Sequence, residues 1–109
     1  MLIGLKQRMP LTRRALLTNK EVDLVNVFHL LGDKTRFKIF KLLMSNKELC
    51  VTEIADKVGI SAPAVSQHFR IFELTGLVDK HRYGQKICYV LKRNDGLVQD
   101  LITLIKTNR

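Results

Sequence analysis

The sequence predicts a mainly α fold with one small β-hairpin, on three observations. Apolar residues recur at helical spacing through most of residues 21–107. Asp33, Thr52 and Ser61, residue types that cap helix starts, stand at the heads of such runs. Between Leu77 and Leu91 the helical pattern gives way to two strand-like runs around Gly84 and Gln85.

Residues 1–20 hold Lys6, Arg8, Arg13, Arg14 and Lys20 without an acid, and read as a basic arm ahead of one domain over residues 21–109. Such an arm could track a phosphate backbone, lie on a partner or stay solvated as a tail. A first helix is expected over 21–31, with Val22, Leu24, Val25, Val27, Phe28, Leu30 and Leu31 covering more than one core-facing stripe. Asp33 caps a second helix running to Met44, with Phe37, Phe40 and Met44 on one face and Lys34, Lys38 and Lys41 on another. Thr52 is the expected cap of a short third helix that turns Ile54, Ala55 and Val58 inward and closes at Gly59. Ser61 caps a fourth, with Pro63 in its first turn, where a missing N–H is harmless, and a stop at Gly76. Strands over 77–83 and 85–91 flank a two-residue turn of the type that needs glycine first. A last helix over 95–107 carries Leu97, Val98, Leu101, Ile102, Leu104 and Ile105.

At 109 residues, 46% hydrophobic and 27% charged, the chain suits one soluble domain. Nineteen Lys and Arg against ten Asp and Glu leave a formal charge of +9 and a pI near 10.0, which favours polyanionic partners, nucleic acid first. No run approaches the length that spans a bilayer, the apolar start before Lys6 is too short for a signal peptide, and no membrane partner is expected. Two cysteines fit a reduced, cytoplasmic setting.

Two short helices joined by the turn Gly59, Ile60, Ser61 make a helix-turn-helix, and with the hairpin behind it a winged helix-turn-helix of about five helices and a two-stranded wing. On the second helix, residues 61–74, Val65, Phe69 and Phe72 form one arc and Pro63, Ser66, Gln67 and Arg70 another. The polar arc suits double-stranded DNA. Gln67 can bond adenine through donor and acceptor, Arg70 can reach guanine or phosphate, Ser66 can serve either, and Ala62 or Pro63 can meet a thymine methyl, with Ser61 at the helix entry. Lys80, Arg82, Tyr83, Gln85 and Lys86 make the hairpin a basic wing over about residues 79–88, suited to the sugar-phosphate backbone or minor groove. The plainer readings are a solvated helix face and a winged-helix module that docks an acidic protein.

The run from Leu31 to Leu91, with "GDKTR" opening the second helix, "ELCV" before the third, "SAPAVSQHF" as the reading helix and "GLV" before the wing, resembles the winged-helix repressors of the ArsR/SmtB family. The resemblance implies a homodimer paired through its first and last helices, a DNA operator of inverted symmetry, and repression relieved by a signal; whether the effector is a small molecule or redox is left open by the sequence. The apolar breadth of both terminal helices fits pairing, with Leu24, Phe28, Leu97, Leu101 and Ile105 as candidate contacts, although the same helices could pack on each other within one chain.

Relatives that bind thiophilic metals carry Cys-Val-Cys near the third helix, whereas this chain reads Cys50, Val51, Thr52, and its His29, His68 and His81 lie off the last helix. No metal site and no cofactor are therefore expected. His68 reads as a structural histidine, and His81 as a group that adds charge to the wing at low pH. Cys50 and Cys88 read first as buried, reduced thiols, with a redox pair as the alternative. No catalytic constellation is present in the sequence, and an enzyme is not expected.

Overall fold

A computed structural model describes residues 16–108; residues 1–15, most of the expected arm, lie outside the described residues. The elements run α1 (Asn19–Leu31), α2 (Lys34–Ser45), β1 (Leu49–Cys50), α3 (Val51–Val58), α4 (Ala62–Thr75), β2 (Val78–Tyr83), β3 (Lys86–Leu91) and α5 (Gly96–Thr107). Helices α1–α4 pack on one another, and α2, α3 and α4 pack against a three-stranded antiparallel sheet of order β1-β3-β2.

Helix α1 starts two residues ahead of the expected position because Thr18 and Glu21 cap reciprocally. The Thr18 hydroxyl accepts from the Glu21 N–H at 3.1 Å and the Glu21 carboxylate accepts from the Thr18 N–H at 2.8 Å. Asp33 caps α2 as expected, its carboxylate accepting from the Arg36 N–H at 3.0 Å, and that bond holds its carboxyl below the usual range. Helix α2 buries Ile39, Phe40 and Leu43 and leaves Phe37 at the rim, so its inward stripe is rotated from the expected Phe37, Phe40, Met44 face. Two arginines close the helix ends. The Arg36 Nε donates to the Leu30 carbonyl at 2.8 Å at the end of α1, and the Arg93 Nη2 reaches the carbonyls of Leu43, Met44 and Asn46 at 2.8, 3.1 and 3.3 Å at the end of α2.

Strand β1 was not expected. It is two residues long and pairs with β3, Leu49 opposite Tyr89 and Cys50 opposite Cys88, so the sheet has three strands where the sequence shows two. The chain passes straight from β1 into α3, whose N-cap is Cys50 and not Thr52; the Glu53 carboxylate accepts from the Cys50 N–H at 2.9 Å. Gly59 closes α3 at φ 79°, a left-handed conformation that only glycine adopts without strain. The hairpin pairs Tyr83 with Lys86 around Gly84 (φ 64°) and Gln85, and since among the described residues no non-glycine residue has positive φ, the turn is of the glycine-first type expected. Asp95 caps α5, its carboxylate accepting from the Leu97 and Val98 N–H groups at 2.9 and 3.2 Å. Among the described residues no helix is long and apolar enough to cross a membrane.

Candidate nucleic-acid interface

Helix α4 is held from behind. Val65, Phe69 and Phe72 are fully buried, and the Phe69 ring stacks on Tyr89 of β3 at 3.8 Å and 9° and lies 5.0 Å from Phe72. The Tyr89 phenol is pushed up to about 12, first by burial and then by the Glu73 carboxylate, so it stays neutral. One aromatic stack thus fixes the helix to the wing.

The other face of α4 points outward. Pro63, Ser66, Gln67 and Arg70 are all exposed, whereas Ala62 is half-buried. Ser61 is exposed but its hydroxyl accepts from the Ala64 N–H at 3.2 Å, so it serves first as the helix cap. His68 is half-buried, its Nδ1 3.4 Å from the Arg36 guanidinium, between the reading helix and α2.

The wing divides its residues between two faces. Strand alternation and register put Lys80 and Arg82 on the face shared with Tyr89 and Leu91, and His81, Tyr83 and Lys86 on the face shared with Cys88. Lys80 Nζ lies 3.9 Å from Glu73 at the end of α4, a loose, partly exposed pair. The Tyr83 hydroxyl donates to Glu48 at 2.9 Å, and His81 Nδ1 lies 2.8 Å from the same carboxylate oxygen. Those bonds hold the Glu48 carboxyl below its ordinary range, His81 first and Tyr83 second, and the same carboxylate raises the Tyr83 phenol. Tyr83, expected among the DNA contacts, is therefore also a strut from the wing to the segment before β1. Arg82, Gln85 and Lys86 stay exposed, and neither Arg82 nor Lys86 is ion-paired among the described residues.

Reading helix and wing meet across a cleft of about 230 Å³ lined by Cys50, Val51, Thr52, Ser66, Gln85, Lys86 and Ile87. At its edge Cys50 and Cys88 form a disulfide, which corrects the expectation of two free thiols. The physical reason is β1: without that strand nothing in the sequence sets position 50 opposite position 88. Among the described residues no group of three or more His, Cys, Asp and Glu side chains is placed to hold a metal ion. A second basic feature, legible in the sequence only as part of a lysine row, gathers Lys38 and Lys41 of α2 with Lys57 of α3 around a cleft of about 480 Å³.

Of the expected pairing residues, Phe28 is 58% exposed, Leu24, Leu97 and Ile105 are half-buried, and Leu101 lies in the core of its own chain at 6%. Other outward apolar residues on the two terminal helices, not among the expected contacts, are Val22 and Val25 of α1 and Leu104 of α5, the last 55% exposed.

Residues 33–80 match the family model of the bacterial regulatory proteins of the arsR family. Bacillus subtilis SdpR, a transcriptional repressor, is 38% identical over 77 residues, 71% of this chain and 82% of SdpR. The chain belongs to the ArsR family. A second relative, the cadmium resistance transcriptional regulatory protein CadC of Listeria innocua, is 35% identical over 65 residues, 60% of this chain but only 55% of CadC, so the match spans about half of that relative's length. In structure, HlyU from Vibrio cholerae superposes with a TM-score of 0.71 at 26% identity, covering 82% of this chain and 94% of HlyU. The winged helix-turn-helix architecture is thus that of the ArsR regulators.

Proposed function

We propose that this ArsR-family chain is a transcriptional repressor that binds double-stranded DNA as a homodimer, with one α4 per protomer in the major groove of an inverted-repeat operator. The observation that carries this reading is the division of α4: its apolar arc is locked into the core while Pro63, Ser66, Gln67 and Arg70 are all presented outward. A helix held that way fits the roughly 12 Å wide major groove, and each base contact by Gln67 or Arg70 would supply about 1–3 kcal/mol of discrimination. Arg82 and Lys86 on the wing would lie on the backbone or minor groove, and the +9 charge would steer the approach. Val22, Val25 and Phe28 of α1 and Leu104 of α5 are exposed apolar side chains that a second copy would cover.

Selection of bound duplexes from a random pool tests the reading. The selected site should show inverted symmetry, and Gln67→Ala should weaken binding to it by about tenfold or more while changing random-duplex affinity little. Equal loss on both would rule out base reading by Gln67. The cleft of Lys38, Lys41 and Lys57 favours a second reading, a module that docks an acidic protein. Duplex affinity without the steep salt dependence of several phosphate contacts would favour that alternative.

A further inference from the structure

We propose that the Cys50–Cys88 disulfide is a thiol-exchange site, opened by a low-molecular-weight thiol that enters the cleft between wing and reading helix and attacks Cys50. Two observations set the direction. Cys88 lies on β3, the central strand, and has no exposed surface. Cys50 lies on the two-residue edge strand, is 5% exposed, and lines the cleft together with Ser66, Gln85 and Lys86. Of the two cysteines, only Cys50 borders the cleft and keeps exposed surface. Lys86 at the cleft favours an anionic thiol such as a small peptide thiolate.

The incoming thiolate forms a bond to the Cys50 Sγ as the Sγ–Sγ bond breaks, and the electron pair leaves on the Cys88 Sγ, which takes a proton from water. A second small thiolate then attacks the outer sulfur of the mixed disulfide, forming the small-molecule disulfide and releasing Cys50 as thiolate. Two thiols are oxidised and one protein disulfide is reduced. In reverse, a small disulfide transfers one half to Cys50, and Cys88 displaces it to restore the crosslink.

The cleft that admits the thiol is walled by three residues of the expected DNA contact set, Ser66, Gln85 and Lys86. A mixed disulfide on Cys50 and a duplex on α4 therefore compete for the same space, and bound DNA shields the sulfur. This competition rests on the DNA reading above, whereas the choice of Cys50 over Cys88 does not.

The test uses the full chain with oxidised glutathione as probe. Cys88→Ser, which leaves Cys50, should gain one glutathione by mass spectrometry at least about tenfold faster than Cys50→Ser, and a duplex shown bound by fluorescence anisotropy should slow it by about tenfold. Should either variant fold poorly, the wild-type disulfide is pulsed with reduced glutathione, acid-quenched and mapped, and the adduct should lie on Cys50. An adduct on Cys88, equal rates for the two variants, or an unchanged rate with duplex bound would overturn the proposal. If no duplex binds at all, the DNA reading fails, and the ratio of the two variants still decides the exchange site.

Discussion

Glu48 shows how much one half-buried side chain can organise: its carboxylate receives the Tyr83 hydroxyl and faces His81, tying the wing to the segment before β1. Its carboxyl is depressed because those partners favour the charged form, so it adds stability above the unfolded carboxylate value and loses it as pH falls through the lower folded one. Glu48→Gln should therefore lower the Tm at neutral pH, and the gap from wild type should close below about pH 4. Thermal melts across that range would show it, and a gap that persists in acid would remove the ionised strut. Phe69 carries the larger load. It is fully buried between Phe72 and Tyr89, and Phe69→Ala should cost about 3–5 kcal/mol in urea unfolding.

Among the elements, the turn between α3 and α4 depends on Gly59. A Cβ there would meet nothing within 4 Å, so Gly59→Ala tests backbone conformation alone, and about 1–2 kcal/mol should be lost at its positive φ. Equilibrium unfolding measures that directly. The helices and the hairpin were legible because their signals are local: Asp33 and Ser61 act as caps where the sequence puts them, and Val65, Phe69 and Phe72 are the buried arc that periodicity indicates. Strand β1 was not legible, since two residues carry no alternation and its pairing to β3 joins positions 38 residues apart. The disulfide, the shift of the α3 cap from Thr52 to Cys50 and the Glu48 strut all follow from that one missed strand. The exposed face of α4 was readable, but the division of the wing into two faces required the register.

At the level of the whole molecule, the apolar residues left on α1 and α5 bear on assembly. Phe28 is mostly outside its own core, so Phe28→Asp should leave the fold intact, shift the chain toward monomer in sedimentation equilibrium, and weaken binding to a symmetric site by about tenfold or more. A variant that stays dimeric would place the pairing surface elsewhere. Arg93 has a different consequence. Its guanidinium finishes α2, nearly fifty positions upstream, while the Gln99 side chain of α5 donates to the Arg93 carbonyl at 2.9 Å. A fragment cut just after the hairpin would keep every residue proposed to meet DNA and still strip three backbone acceptors of their guanidinium. For anyone grafting this reading head onto another scaffold, the shortest transplantable piece ends beyond position 99, inside the last helix.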